Sequence, residues 1–127
     1  MVNYVIDASA LLAILLDETG ADTAAARLPG AAMSAVNASE ALMRGIEKTV
    51  PLDLIEALLA AQQVRIVAFD QKLAVAAAML RPATKHAGLS FADRACIATA
   101  VAESATVVTA DRVWSTLDLP CKVELIR

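Results

Sequence analysis

Short apolar runs alternate along the chain with stretches whose apolar residues recur every three to four positions. Tyr4-Val5-Ile6 and Thr106-Val107-Val108 are nearly continuous apolar runs, the pattern of strands covered on both faces of a sheet. The full pattern predicts strands near 3–6, 32–34, 65–68, 106–109 and 122–126. Helical spacing predicts helices over 10–17, 23–27, 37–48, 52–62, 71–80 and 91–103. In the 52–62 segment, Pro51 suits the first helical position. Leu52, Ile55 and Leu59 then share one face, with Asp53 and Glu56 turned away. Regular alternation of this kind predicts a three-layer α/β/α sandwich around a mostly parallel, roughly five-stranded sheet. One stretch breaks the pattern: "RPATKHAGL", 81–89, is punctuated by Pro82 and Gly88 and reads as a loop. It carries Arg81, Lys85 and His86, and is either functional or simply a solvated connection.

Four acids fall at comparable places in this pattern. Asp7 follows the first strand and Asp111 the fourth. Glu40 and Asp93 lie in the first turns of the predicted helices after the second strand and after "GLS". In an open parallel sheet, ligands bind outside the carboxyl ends of the strands, and crossover helices begin and end at the sheet edges. All four acids are therefore expected at one edge. Each also has a bland reading as a helix cap: Ser90-x-x-Asp93 and Asn37-x-x-Glu40 resemble capping boxes, and Asp7 and Asp111 can cap the turns after them. Capping does not explain why four should converge. Carboxylates brought together repel one another and need protons, strong donors or a cation. An all-oxygen donor set suits magnesium or manganese far better than zinc. The other acids read as solvated positions or caps.

Composition narrows the classes. A chain of 127 residues is expected to form one domain over 1–127. Its 58% hydrophobic but 3% aromatic content means that Ala, Leu and Val fill the core. That apolar fraction is high enough that part of it is expected on the surface, covered by a partner. The net charge of −3 argues against a general basic surface for nucleic acid, but not against a nuclease whose metal ions screen an acidic pocket. The 2 cysteines, Cys96 and Cys121, make no CxxC pair, and 1 histidine excludes a His-rich zinc site. The apolar stretch 8–16 is too short to span a bilayer and no basic region precedes it, so a cytoplasmic protein is expected.

"VIDASALLAIL", "SAVNASEAL", "GLSFADRACIATA" and "VVTADRVW" together resemble the PIN-domain nucleases, and more closely the VapC-type toxins of bacterial toxin–antitoxin pairs. The resemblance covers nearly the whole chain, in order. It implies a divalent-metal-dependent endoribonuclease using Mg2+ or Mn2+, with Asp7, Glu40, Asp93 and Asp111 as catalytic metal-binding acids and Asp7 and Asp93 as the firmest direct ligands. It implies supporting roles for Ser9 and Thr109, which orient carboxylates or bound water, and products with a 5′-phosphate and a 3′-hydroxyl. Ser9 also reads as a local backbone hydrogen bonder and Thr109 as a β-former. Asn37 matches a polar position of the family segment and reads chiefly as a helix cap. The implied partners are RNA, a VapB-type antitoxin and a second copy in a homodimer.

Arg81, Lys85, Arg94 and Arg112 stand near the acids in sequence and are candidate RNA contacts, with surface ion pairs as the alternative. Arg44, four residues after Glu40, is placed to pair with it. Trp114 and Tyr4 are too few for a base-stacking platform and read as packed residues, and Cys96 as a small core residue. Two other classes compete. An aspartyl-phosphate enzyme of one large group needs a second Asp two residues after the first, where Ser9 stands. A catalytically silent PIN-like scaffold or interaction protein is the non-enzymatic alternative.

Overall fold

Strand β1 (Tyr4–Ile6) lies at the centre of a five-stranded sheet of order β3-β2-β1-β4-β5, with β2 (Ala32–Ser34), β3 (Arg65–Val67), β4 (Thr106–Thr109) and β5 (Val123–Leu125). The computed structural model describes residues 2–127, and every strand pairing among them is parallel. Tyr4 is in register with Thr106 and Ile6 with Val108. Successive residues of a strand face opposite ways, so Val5, Ala32 and Val107 enter one core layer while Ile6, Met33 and Val108 enter the other. Both layers are covered by helices, which makes the three-layer sandwich expected from the alternating pattern.

The helices are α1 (Ala8–Leu15), α2 (Ala21–Arg27), α3 (Ala35–Glu47), α4 (Leu52–Ala61), α5 (Gln71–Met79), α6 (Arg81–Thr84) and α7 (Phe91–Ala102). The layer on Ile6 is built from α1, α2, α3 and α4, and the layer on Val5 from α7 and the turn holding Trp114. Trp114 is fully buried, as is Cys96. Tyr4 is half-buried, with the Arg27 guanidinium 5.0 Å from its ring centroid. Gly45 lets α3 meet α4: a Cβ there would lie 2.8 Å from Ile55 Cδ1.

Several local expectations are corrected. The 81–89 loop is instead α6 followed by a 3-10 turn at Lys85–Ala87; Pro82 sits in the first turn, where its missing N–H costs nothing. Pro51 is the N-cap of α4 and Leu52 its first residue, and Leu52 is exposed while Ile55 and Leu59 are buried. Helix α3 begins at Ala35, capped by Ser34, whose hydroxyl accepts from the Val36 N–H. Asn37 is therefore inside the helix and caps nothing, and Glu40 falls in the second turn. Among the described residues, no helix is long and apolar enough to cross a membrane.

Candidate functional site

Strand β1 delivers Asp7 to the carboxyl end of the sheet, where its backbone N–H donates to the Val108 carbonyl at 3.0 Å. Asp7 occupies the N-cap position of α1, but its side chain makes no cap hydrogen bond. The carboxylate turns instead to two hydroxyls. Ser9 Oγ donates to Oδ2 at 2.6 Å and Thr109 Oγ1 donates to the same oxygen at 2.9 Å. The network continues into β4 and beyond: Ala110 N–H donates to Ser9 Oγ at 3.0 Å, and Asp111 N–H to Thr109 Oγ1 at 3.1 Å. Parallel pairing of β1 with β4 makes this possible, because it ends both strands side by side.

Asp7 is only 5% exposed. Burial pushes its carboxyl up from 3.8 to about 6; the Ser9 and Thr109 donors pull it back, the charge of Asp93 pushes it up again, and the Ala8 N–H lowers it. The carboxylate is thus oriented by two hydroxyls, desolvated and beside another acid, and it forms no ion pair among the described residues.

The other acids are placed differently. Asp93 sits in the first turn of α7 and completes a capping box: Ser90 Oγ accepts from Asp93 N–H at 3.2 Å, and Asp93 Oδ2 accepts from Ser90 N–H at 2.8 Å. Asp111 caps the 3-10 turn Arg112–Thr116, accepting from Val113 N–H at 3.0 Å. Glu40 is half-buried on α3. Cys96 is fully buried, and burial pushes its thiol up, with smaller contributions from Asp7, Cys121, Asp93 and Glu40. Asp7 and Asp111 follow the adjacent strands β1 and β4, and the charge of Asp93 reaches Asp7. Among the described residues, no three His, Cys, Asp or Glu side chains are grouped closely enough to hold one metal ion. Like charges hold apart, and Asp93 and Asp111 each commit an oxygen to a helix start.

Asn37 links two of the acid-bearing helices. It is fully buried and its Nδ2 donates to the Ala92 carbonyl of α7 at 3.0 Å, three residues before Glu40 and one before Asp93. Its Oδ1, like Arg94 Nε, is buried without a hydrogen-bond partner. A polar residue inside an otherwise apolar helix face was the available sequence signal.

The family model described as PIN domain matches residues 4–119. The chain belongs to the PIN-domain family. Nuclease activity is general to that family. No curated protein matches the chain significantly. Its fold is similar to that of a toxin–antitoxin complex from Klebsiella pneumoniae, with a TM-score of 0.80 at 18% identity over 98% of each chain. It is also similar to DNA-bound VapBC from Salmonella typhimurium, with a TM-score of 0.74 at 16% identity over 100% of each chain. The VapBC-5 toxin–antitoxin structure from Mycobacterium tuberculosis gives a TM-score of 0.61 at 25% identity, covering 100% of this chain and 99% of that one.

In this PIN domain the basic residues near the acids divide into two groups. Arg81, Lys85 and Arg112 are exposed. Arg94 is half-buried and donates from Nη1 to the Leu89 carbonyl at 3.0 Å. Arg44, Lys48 and Arg127, which the sequence did not single out as RNA contacts, form a further basic set. A groove of about 430 Å³ opens beside the Asp7 network, and its lining includes Ser9 and Asp111 together with Arg44, Lys48 and Arg127. Arg44 makes no ion pair with Glu40; the ion pairs among the described residues join Arg27 to Glu124, Arg65 to Glu103 and Arg127 to Glu18.

Proposed function

We propose that this PIN domain, a single domain over 1–127, is a divalent-metal-dependent endoribonuclease and the toxin of a cytoplasmic toxin–antitoxin pair. The observation that carries the reading is the buried Asp7 carboxylate, oriented by Ser9 and Thr109 and set beside Asp93 at the carboxyl end of the sheet. Its charge is unfavourable as it stands, and a hard cation is the partner that the all-oxygen donor set suits. Asp7, Glu40, Asp93 and Asp111 are the residues that would hold Mg2+ or Mn2+. When bound, the metal neutralises charge on the scissile phosphate and makes water a better nucleophile near neutral pH.

The chain's own groups do the positioning. Ser9 and Thr109 fix Oδ2 of Asp7 and leave its other oxygen outside their network. Asp93 and Asp111 are pinned by their helix starts, and Glu40 orients the attacking water. Arg81, Lys85, Arg94 and Arg112 are candidate phosphate contacts, and hydrolysis leaves a 5′-phosphate and a 3′-hydroxyl. The fold shared with toxin–antitoxin complexes supports a VapB-type antitoxin partner. Exposed Val75, Met79 and Phe91 support burial of apolar surface against a second copy.

The test is cleavage of total RNA by purified, antitoxin-free protein with Mg2+ or Mn2+. Cleavage is expected, with loss in Asp7→Asn and Asp93→Asn. A folded protein that cleaves no RNA with any divalent ion overturns the reading in favour of a silent scaffold.

A further inference from the structure

We infer that the groove between α1 and the outer half of α3 carries the RNA backbone, with Arg44 and Lys48 as its phosphate contacts. The inference rests on the ribonuclease reading and gives it a substrate path. Three observations support it. The groove opens at Ser9 and Asp111, both hydrogen-bonded into the Asp7 network, so a chain lying in it arrives at the acids. Glu40, Arg44 and Lys48 follow at four-residue spacing, which places them along one side of α3 in steps of about 6 Å. The stripe thus runs from a site acid to two cations, and both cations line the groove.

Charge accounting gives the groove its sign. Its other cation, Arg127, is committed: Nη1 donates to the Thr19 carbonyl at 2.9 Å and stands 3.8 Å from Glu18. Glu18 is thereby offset, and Asp111 belongs to the acid site. Arg44 and Lys48 are exposed and have no carboxylate partner among the described residues. They are the uncompensated charges of the groove, on a chain that is acidic as a whole. An acidic site needs such flanking cations to tolerate a polyanion. Their place near the end of α3 also complements the helix dipole. That effect concerns stability alone and leaves RNA affinity untouched.

The experiment measures binding of a labelled pool of single-stranded RNA 20-mers in chelator, where cleavage is off, against salt concentration. The protein with Arg44→Ala and Lys48→Ala together is compared with one carrying Lys72→Ala and Lys122→Ala, which removes the same charge elsewhere. The groove variant is expected to bind about tenfold more weakly and to lose about 1.4 from its log–log salt slope, about 0.7 for each phosphate contact on a single strand. In the cleavage assay its KM should rise with kcat little changed. Arg44→Lys should restore most of the binding. The Lys72/Lys122 variant should retain the salt slope. Equal binding by both variants, with unchanged melting temperatures, overturns the inference and leaves the groove to a peptide partner. Absence of RNA binding by the unsubstituted protein also overturns it. Cleavage of total RNA decides separately whether the ribonuclease reading stands.

Discussion

At Asp7 burial and hydrogen bonding pull the carboxyl in opposite directions, and burial prevails, moving it from 3.8 to about 6. In the metal-free protein the folded state therefore binds more protons than the unfolded state between those values. Stability contributed by this group is highest below pH 3.8, falls as pH rises through the window, and levels above pH 6. The gap corresponds to about 3 kcal/mol at about 1.4 kcal/mol per pH unit. Asp7→Asn removes the charge and keeps the shape, so it should be more stable than the parent at pH 7 and equal to it near pH 3.5. Denaturant unfolding of both proteins across this range checks it. Ser9→Ala removes the 2.6 Å donor to Oδ2 and the acceptor of the Ala110 N–H. Loss of such an orienting contact should lower metal affinity and cleavage about 10- to 100-fold. Titration with Mn2+ and initial rates measure both.

Helix starts carry much of the site, and their chemistry is local. Ser90→Ala opens the capping box of α7, costs about 1 kcal/mol, and releases Asp93 from its fixed orientation. A lower melting temperature and a weaker metal response should appear together. Asn37→Ala breaks a tie between helices rather than a cap, because the amide reaches the Ala92 carbonyl. It should destabilise by about 1 kcal/mol, the net worth of an ordinary intramolecular hydrogen bond. The Ser90–Asp93 box was legible because both partners lie within one turn. The role of Asn37 was not, since its partner is 55 residues away. The 81–89 segment misleads for another reason: Pro82 is a helix breaker only in a helix interior, and here it falls at a helix start.

For the molecule as a whole, the proposed metal links function to stability. Mg2+ or Mn2+ at about 100 times its dissociation constant should raise folding stability by about 2.7 kcal/mol. Thermal unfolding with and without chelator should show that gain in the parent and lose it in Asp7→Asn. The apolar excess of the composition does appear at the surface. Val75 and Met79, one turn apart on α5, are 58% and 75% exposed. The Phe91 ring is 51% exposed while meeting Phe69 edge-on at 5.4 Å.

The alternating pattern alone determined the layered α/β architecture, the strand positions and the acids near strand ends and helix starts, because these features repeat within a few residues. Only the tertiary structure decided what each acid faces. Pairing of β1 with β4 brings Thr109 onto Asp7 across 102 positions. Packing of α3 beside α1 sets Arg44 and Lys48 along the same groove as Ser9, Asp111 and Arg127. Such contacts depend on how sheet and helices close in space, and side-chain spacing along a single element carries no record of them.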